Sequence, residues 1–135
     1  MEIRVLKATT LLVILSIFLL LFDTLVNLWG NTVINSALVF GYTGGNTIAL
    51  VISVIFLLAM GMLWKWHSFD GPGVVMIIAG GLVNSSERVI YGGVIDYFHL
   101  FGFYFNLPDV FIFVGLTMLV YNEISKLLDK KTANL

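Results

Sequence analysis

The sequence predicts an all-α membrane protein, folded as a bundle of four transmembrane helices. Hydrophobic residues make up 59% of the 135 residues and charged residues only 11%, whereas about a quarter of an average soluble domain is charged. The mean hydropathy is +1.01, and four separate apolar segments each approach the ~20 residues that a helix needs to cross a bilayer. A chain of this length has room for one bundle and a small loop region, so we expect a single integral membrane domain over residues 1–135.

The first and third apolar segments need separate arguments. The first follows a basic start and could be a secretory signal, but its apolar run exceeds the roughly 7 to 15 residues of a signal core and no small-x-small cleavage site follows. We therefore expect a retained span. The third is short and rich in glycine, which is common in transmembrane helices because it lets backbones approach closely. The predicted spans are approximately residues 8–29, 47–64, 71–86 and 108–125.

The basic residues fall mainly in three places along the chain. They precede the first span, lie between the second and third spans, and follow the fourth: Arg4, Lys7, Lys65, Lys126, Lys130 and Lys131. In a four-span bundle these places share one side, which the positive-inside rule identifies as cytoplasmic. Both termini are then cytoplasmic, and the loops over residues 30–46 and 87–107 form a small extracytoplasmic region with room for β-strands. Arg88 is the one basic residue on the outer side.

This topology brings seven polar or charged residues together at the outer membrane interface. They are Asp23, Asn84, Glu87, Arg88, Asp96, Asn106 and Asp109. A carboxylate at the centre of a transmembrane helix costs roughly 2.5 to 3.5 kcal/mol on insertion and less near the interface, so it usually faces a cavity or a partner. The four acids in this group therefore need an explanation other than solubility.

Taken singly, three of these acids have ordinary structural interpretations. Asp109 follows Pro108 at the start of the fourth span, where the helix dipole favours an acid. Asp96 follows two glycines and suits a turn. Asp23 lies one or two turns from the end of its span and needs a hydrogen-bond partner. Asn27, four residues on along the same helical face, can supply one.

Taken together, Asp96 and Asp109 have a catalytic interpretation. Two carboxyl groups that meet away from water can share one proton and titrate as a unit. The ionised member can then activate a water molecule while the protonated member donates to a scissile carbonyl oxygen, as in aspartic proteases. The segment between the two residues must fold back for them to meet. Its aromatic residues are predicted either to cover the site or to form an interfacial belt; they are Phe98, Phe101, Phe103, Tyr104 and Phe105.

Three motifs at these positions resemble those of the signal peptidase II family. AGGLVNSSERVIYGGVID, residues 79–96, resembles the family's pattern of small residues, then Asn, two residues, an acid and Arg, then Gly and a Val-Val-Asp-like end. FNLPD, residues 105–109, resembles its Phe-Asn-x-Ala-Asp. FDTLVN, residues 22–27, resembles its Asp-x-x-Ser/Thr-Lys and matches only at Asp23. The two longer motifs cover the chain from residue 79 into the fourth span.

The chain departs from the family pattern at several positions. It has Val83 for Gly, Glu87 for Asp, Pro108 for Ala and Asn27 for Lys. The family's Asn-x-Gly element in the 30–46 loop has no clear counterpart, and FGYTGGNT, residues 40–47, is its candidate remnant. The sequence therefore resembles a short, divergent member.

The resemblance implies a membrane aspartic endopeptidase that removes the signal peptide from prolipoproteins, cutting on the amino side of the diacylglyceryl-modified cysteine. It implies that Asp96 and Asp109 are the catalytic pair, and that five further residues bind substrate or support the site: Asn84, Arg88, Asn106, Asp23 and Glu87. The implied protein is a multi-pass monomer of a bacterial-type cell (inner) membrane, with its active site on the extracytoplasmic face. Its partners are lipid-modified prolipoproteins and membrane lipids, and it needs no metal or cofactor.

Composition argues against several other function classes. Without cysteine the chain has no disulfide, thiolate nucleophile or cysteine-ligated metal, and His67 and His99 are predicted on opposite sides of the membrane. A net charge of −1, with no basic cluster outside the C-terminal tail, argues against nucleic acid.

Two alternatives to the enzyme remain. A non-enzymatic four-span assembly or interaction factor would use the aspartates as helix caps. A proton or ion carrier, suggested by Asp23, would place its acids near the membrane midplane rather than at one face. The joint match of five residues favours the enzyme over both; they are Asn84, Arg88, Asp96, Asn106 and Asp109.

Overall fold

The computed structural model describes residues 2–36, 45–67 and 71–132. Its helices are α1 (Glu2–Leu28), α2 (Gly45–His67), α3 (Pro72–Tyr91) and α4 (Leu107–Thr132). Its strands are β1 (Val33–Asn35), β2 (Val94–Asp96), β3 (Phe98–Leu100) and β4 (Phe103–Phe105). All four helices are long and apolar enough to cross a membrane. The predicted fold class, a four-helix membrane bundle, is confirmed.

Helix α3 is the central helix of the bundle. It contacts α1, α2 and α4, and 61% of its span is buried inside the protein, against 6% to 11% for the other three. The other helices therefore turn most of their apolar side chains outward, as helices that face lipid do. Polar side chains on α3 are therefore enclosed by protein on several sides, and we expect a buried site to include residues of this helix.

The α3–α4 contact depends on glycine. A Cβ atom at Gly73 would lie 2.8 Å from the carbonyl oxygen of Gly115, and one at Gly115 would lie 2.5 Å from the carbonyl oxygen of Gly73. A Cβ atom at Gly80 would lie 2.5 Å from the carbonyl oxygen of Pro108. The two backbones touch, which is what small residues permit between membrane helices. This contact brings the first turn of α4 against the C-terminal half of α3.

Two apolar clusters hold α3 to its other neighbours. One is formed by Met60, Val74, Ile77 and Ile78, with α2 on one side. The other is formed by Leu19, Ala79 and Val83, with α1 on one side. On α3, both clusters precede the polar residues at its C-terminal end. Two different faces of the helix are therefore packed against neighbouring helices along this apolar part.

Helix α3 is longer than predicted. It continues five residues past the expected end at Ser86 and stops at Tyr91, where Gly92 adopts a left-handed conformation (φ 75°) that commonly terminates helices. Glu87 and Arg88 are therefore helical, and the prediction of a loop over residues 87–107 is wrong at its beginning. The physical reason is that both charges have buried partners, so they do not mark the end of the helix.

The strands form two small antiparallel sheets at the end of the bundle where α1 and α3 finish and α2 and α4 begin. β1 pairs with β2, with Val33 opposite Asp96. β3 and β4 form a hairpin with Phe98 opposite Phe105, and the Tyr97 N–H donates to the Phe105 carbonyl at 3.3 Å. The segment between Asp96 and Asp109 therefore folds back on itself, as a pairing of the two residues requires.

Candidate active site

Asp109 lies in the first turn of α4 and takes part in that helix's N-terminal cap. The Oδ1 atom of Asn106 accepts from the Asp109 N–H at 2.8 Å, and the Oδ2 atom of Asp109 accepts from the Asn106 N–H at 3.3 Å. This reciprocal pair is a capping box, which satisfies two backbone donors that the helix itself leaves open. Helix capping therefore accounts for one of the two carboxyl oxygens of Asp109, the Oδ2 atom.

The second oxygen of Asp109 is held from α3. Its Oδ1 atom accepts from the Asn84 side-chain amide at 2.7 Å, and the Asn84 carbonyl oxygen accepts from the Asn106 side-chain amide at 3.0 Å. Asn84, Asn106 and Asp109 thus close a ring of hydrogen bonds in which each amide has a fixed orientation. Gly80 lies one turn before Asn84, and its missing side chain is what lets α4 approach closely enough for this ring.

Asp96 ends strand β2 and is 3% exposed. Its Oδ2 atom accepts from the Asn35 side-chain amide at 2.9 Å, while its buried Oδ1 atom has no hydrogen-bond partner among the described residues. Burial raises the pKa of Asp96 to about 6; the Asn35 bond and the charge of Arg88 oppose the rise, and the negative charge of Asp109 adds to it. Asp109 therefore lies close enough to Asp96 for its charge to act on the ionisation of Asp96.

Arg88 supplies positive charge to this group of acids. It is 7% exposed, and its charge acts on Asp109, Asp96 and Glu87. Asn46, at the start of α2, holds it in two ways: the Asn46 amide donates to the Arg88 carbonyl at 2.9 Å, and the Asn46 carbonyl oxygen accepts from the guanidinium at 3.4 Å. The arginine is therefore fixed from a second helix.

Asp23 and Glu87 are fully buried beside the two aspartates. The Oδ1 atom of Asp23 accepts from the Tyr97 hydroxyl at 2.5 Å, so the predicted pairing of Asp23 with Asn27 is wrong. Asn27 instead accepts from the Thr32 hydroxyl at 2.6 Å, because the chain leaving α1 turns back over it. Glu87 accepts from the Ile95 N–H at 3.0 Å, so it reaches the residue next to Asp96.

The structure brings all seven predicted residues into one cluster and adds three that the sequence analysis did not identify. These are Asn35, which bonds Asp96, Asn46, which bonds Arg88, and Tyr97, which bonds Asp23. Asn46 belongs to the FGYTGGNT stretch suspected as the Asn-x-Gly remnant, but residues 40–44 of that stretch lie outside the described residues. Asn35 ends strand β1, and Tyr97 follows the candidate catalytic residue Asp96. Apart from these positions, nothing near either residue in the sequence predicts a place in the cluster.

The described residues contain no group of three or more histidine, cysteine or acidic side chains arranged to hold a metal ion. His99 lies on the exposed β3–β4 hairpin, where its ring stacks on Tyr104 with centroids 4.5 Å apart. At the tip of the same hairpin, Phe101 is 89% exposed. Among the described residues, the side chains of the cluster are carboxyl groups, amides, the guanidinium of Arg88 and the phenol of Tyr97.

Comparison of the sequence with known proteins finds matches to one protein family. A sequence model of signal peptidase (SPase) II matches residues 9–125. A lipoprotein signal peptidase of Mesorhizobium japonicum is 38% identical over 90 residues, covering 63% of this chain and 54% of that protein. One of Clostridioides difficile is 33% identical over 92 residues, covering 63% of this chain and 62% of that protein. The chain thus spans between half and two thirds of the length of these relatives.

A solved structure supports the same assignment at the level of fold. A bacterial membrane enzyme determined by the in meso method at 2.3 Å resolution superposes with a TM-score of 0.77, over 92% of this chain and 91% of that chain, at 20% identity. A second such structure, at 1.9 Å resolution, gives a TM-score of 0.71. Since the family's sequence model covers most of the chain, this protein belongs to the signal peptidase II family.

Proposed function

We propose that this protein is an aspartic endopeptidase that removes the signal peptide from prolipoproteins, cutting on the amino side of the diacylglyceryl-modified cysteine. The observation that carries the proposal is the pair of aspartates, the buried Asp96 and the partly buried Asp109, which two different elements bring into one cluster beside Arg88. The names of its curated relatives, lipoprotein signal peptidases, support the substrate class.

The hydrogen bonds indicate which aspartate carries the proton. Asp109 accepts from two N–H donors, an environment that suits a carboxylate. Asp96 accepts from one, and its buried Oδ1 atom has no donor among the described residues, which is where the hydroxyl of a protonated carboxyl fits. In the proposed reaction Asp109 takes a proton from water as that water attacks the scissile carbonyl. Asp96 donates its proton to the carbonyl oxygen, which gives an uncharged gem-diol intermediate. As this intermediate collapses, the C–N bond breaks, the leaving amine takes the proton from Asp109, and Asp96 recovers its proton from a gem-diol hydroxyl.

The surrounding residues have supporting roles in this mechanism. Asn84 and Asn106 orient the Asp109 carboxylate, and Asn35 orients that of Asp96. Arg88 offsets the negative charge of the cluster, and its guanidinium is a donor that a substrate carbonyl can use. Negative charge develops at the carbonyl oxygen while the water attacks and before the proton of Asp96 is fully transferred, and fixed donors that face this oxygen lower the barrier.

The location of the site suits a lipid-anchored substrate. We place both termini on the cytoplasmic side by the positive-inside rule, which puts the cluster and the two sheets on the extracytoplasmic side of a bacterial cell membrane. Prolipoproteins carry acyl chains that enter the bilayer from that side, and membrane lipids contact the apolar faces of α1, α2 and α4. The protein acts as a single-domain monomer in this proposal.

The non-enzymatic alternative explains Asp109 but not Asp96. Asp109 does cap α4, as an assembly factor would require. Asp96 caps no helix: it ends a strand, is 3% exposed and keeps one buried oxygen without a donor among the described residues. A buried carboxyl group with an unused oxygen costs stability and is retained more readily where it has a chemical task.

The proposal is tested with purified protein in detergent and a synthetic peptide that carries a diacylglyceryl-modified cysteine. We expect cleavage before the modified cysteine, and a loss of at least ~10³-fold in the Asp96→Asn variant. Asp129→Asn, a change at an exposed position near the end of α4, is the matched control and should cleave at the wild-type rate. Absence of cleavage by the wild-type protein, or undiminished cleavage by Asp96→Asn, would overturn the proposal.

A further inference from the structure

Besides the proposed catalytic aspartates, the cluster contains a second pair of carboxyl groups, Asp23 on α1 and Glu87 on α3. Both side chains are buried, with exposures of 0% and 1%. Each has one oxygen bonded to a donor, from Tyr97 and Ile95 respectively. The remaining oxygens, Asp23 Oδ2 and Glu87 Oε1, are buried without a donor among the described residues, and the two carboxyl groups lie within hydrogen-bonding reach of each other.

Two facing acceptors can bond only if one of them carries a proton. A carboxyl–carboxylate pair that shares a single proton satisfies both oxygens at once, whereas two ionised carboxylates in contact repel. The charged or titratable groups that act on this pair are Tyr97 beside β2, Asp96 at the end of β2, Asp109 on α4 and Arg88 on α3. The charge of Arg88 acts on Glu87, Asp96 and Asp109, so a single guanidinium cannot balance the negative charge of the cluster if every acid in it is ionised.

We propose that Asp23 and Glu87 share one proton, and that this acid pair, bridged by Tyr97, holds both catalytic segments in position. The positioning half of the proposal rests on the proposed peptidase function; the proton-sharing half does not.

The hydrogen bonds show how the acid pair acts on the catalytic segments. Glu87 accepts from the N–H of Ile95, the residue before Asp96. Tyr97, the residue after Asp96, donates its hydroxyl proton to Asp23, and the same hydroxyl accepts from the Leu107 N–H at 2.9 Å. One phenol thus joins the strand that ends in Asp96 to the start of the helix that carries Asp109. Burial, and secondarily the bond to Asp23, raises the pKa of Tyr97, so its hydroxyl remains a donor.

Amide substitutions distinguish a shared proton from two charges. In Glu87→Gln the amide oxygen can accept from the Ile95 N–H while the NH₂ group donates to Asp23, so the pair stays bonded. Asp23→Asn preserves the pair in the same way, with its oxygen on the Tyr97 hydroxyl. In the double variant both oxygens are occupied by those donors, and two NH₂ groups face each other with no acceptor between them.

Thermal unfolding in detergent at neutral pH tests the pair. We expect each single amide variant to unfold within about 2 °C of the wild type, and the double variant at least about 5 °C lower. Glu123→Gln, at an exposed site where the carboxylate pairs with Lys126, is the control for loss of one carboxylate. If the double variant unfolds no lower than the single variants, or if each single variant falls as far as the double, the shared proton is refuted.

Infrared spectroscopy detects the proton directly and requires no turnover. The measurement uses the Asp96→Asn/Asp109→Asn background, which removes the other two acids of the cluster. We expect the C=O absorption of a protonated carboxyl at neutral pH, shifted in D₂O, lost on adding either Asp23→Asn or Glu87→Gln, and unchanged on adding Glu123→Gln. Its absence from the background protein would overturn the proposal, whatever the protein does or does not cleave.

The positioning role is tested by Tyr97→Phe, which removes only the bridging hydroxyl. We expect kcat to fall about 10-fold with KM unchanged, because the substrate still binds while the aspartates lose their alignment. Tyr121→Phe, at an exposed position on α4, should leave both constants at the wild-type value. A wild-type kcat in Tyr97→Phe would refute the positioning role alone. Failure of the wild type to cleave would refute the peptidase proposal and leave the infrared result standing.

Discussion

The two halves of α3 are built on different principles. From Pro72 to Gly81 the helix packs by shape, with glycines that let the α4 backbone touch it and aliphatic residues that fill the space on its other faces. From Asn84 to Tyr91 it packs by hydrogen bonds and charge, through Asn84, Glu87 and Arg88. The close packing of the first half holds the bundle together, and the second half supplies polar and charged groups of the candidate site.

The halves are coupled at one point. Gly80 lies near the end of the shape-packed half, and the carbonyl of Pro108 lies against its backbone. One turn later Asn84 bonds Asp109, so the close backbone approach fixes the distance across which the polar contact forms. Changes in the first half should therefore affect stability and activity together, whereas changes in the second half should reduce activity more than stability.

The largest effect is expected from Gly115→Val. A Cβ atom there would lie 2.5 Å from the Gly73 carbonyl oxygen and 2.8 Å from Ile77, and the backbone of α3 cannot yield without separating the helices. We expect a loss of about 3 kcal/mol or more in unfolding free energy, measured as the yield and thermal midpoint of the purified protein. Gly81→Ala is the control, because the atoms nearest to its new methyl belong to the flexible side chain of Leu57, the first of them 2.9 Å away. Equal stability of the two variants would contradict the shape-packing account.

A smaller effect, mainly on activity, is expected from Asn84→Ala. The change removes the donor to Asp109 and the acceptor for the Asn106 amide, so the Asp109 carboxylate loses its orientation. We expect kcat/KM for the lipid-modified peptide to fall about 10²-fold. The unfolding free energy should fall by only about 1 to 3 kcal/mol.

Ser86→Ala is the matched control for Asn84→Ala. It lies on the same helix, and its hydroxyl donates only to the Leu82 carbonyl one turn before. It should keep both activity and stability. A loss of activity in Ser86→Ala as large as in Asn84→Ala would show that any change in this half of α3 is harmful, and would remove the evidence for a specific role of Asn84.

The smallest expected effect is a gradual change of kcat/KM with pH. Burial first, and then the charge of Asp109, raises the pKa of Asp96 to about 6 against the opposing Asn35 bond. As the proposed acid, Asp96 must be protonated, so kcat/KM should fall as pH rises through about 6. It should also fall at low pH, where the proposed base, Asp109, takes up a proton. A profile that instead rises with pH through 6 and then stays level would assign Asp96 the role of base and reverse the proposed mechanism.

The same pKa has a consequence for stability. Asp96 binds its proton more tightly in the folded protein than in the unfolded chain, where an aspartate titrates near ~4. Its stabilising contribution is therefore complete below about pH 4 and lost as pH rises to about 6. Thermal midpoints of the wild type should fall relative to those of Asp96→Asn across this window. Parallel curves for the two proteins would show that Asp96 titrates normally.

Much of the fold could be predicted because it depends on composition and spacing. Four apolar runs are visible in the sequence, and the convergence of seven polar residues at one end follows from alternating span direction alone. The capping of Asp109 was also visible, since proline and an acid begin the helix. These features are local or follow from topology.

The rest could not be predicted because it depends on distant contacts. Asp23 and Tyr97 are far apart in the sequence, and nothing near either residue indicates the bond between them. The same holds for Asn35 and Asp96, which meet only because β1 pairs with β2. The end of α3 was misplaced since a charge usually marks the end of a membrane span, whereas Glu87 and Arg88 are enclosed by the bundle.

The most direct test of the central claim compares Asp96→Asn, Asp109→Asn and the double variant in single-turnover cleavage of the diacylglyceryl-modified peptide. Residues that act as one unit lose the same activity whether one or both are removed. We predict that all three variants are folded and share the same residual rate, at least ~10³-fold below the wild type. If either single variant retains cleavage that the double variant lacks, the two aspartates act independently and the dyad assignment is contradicted.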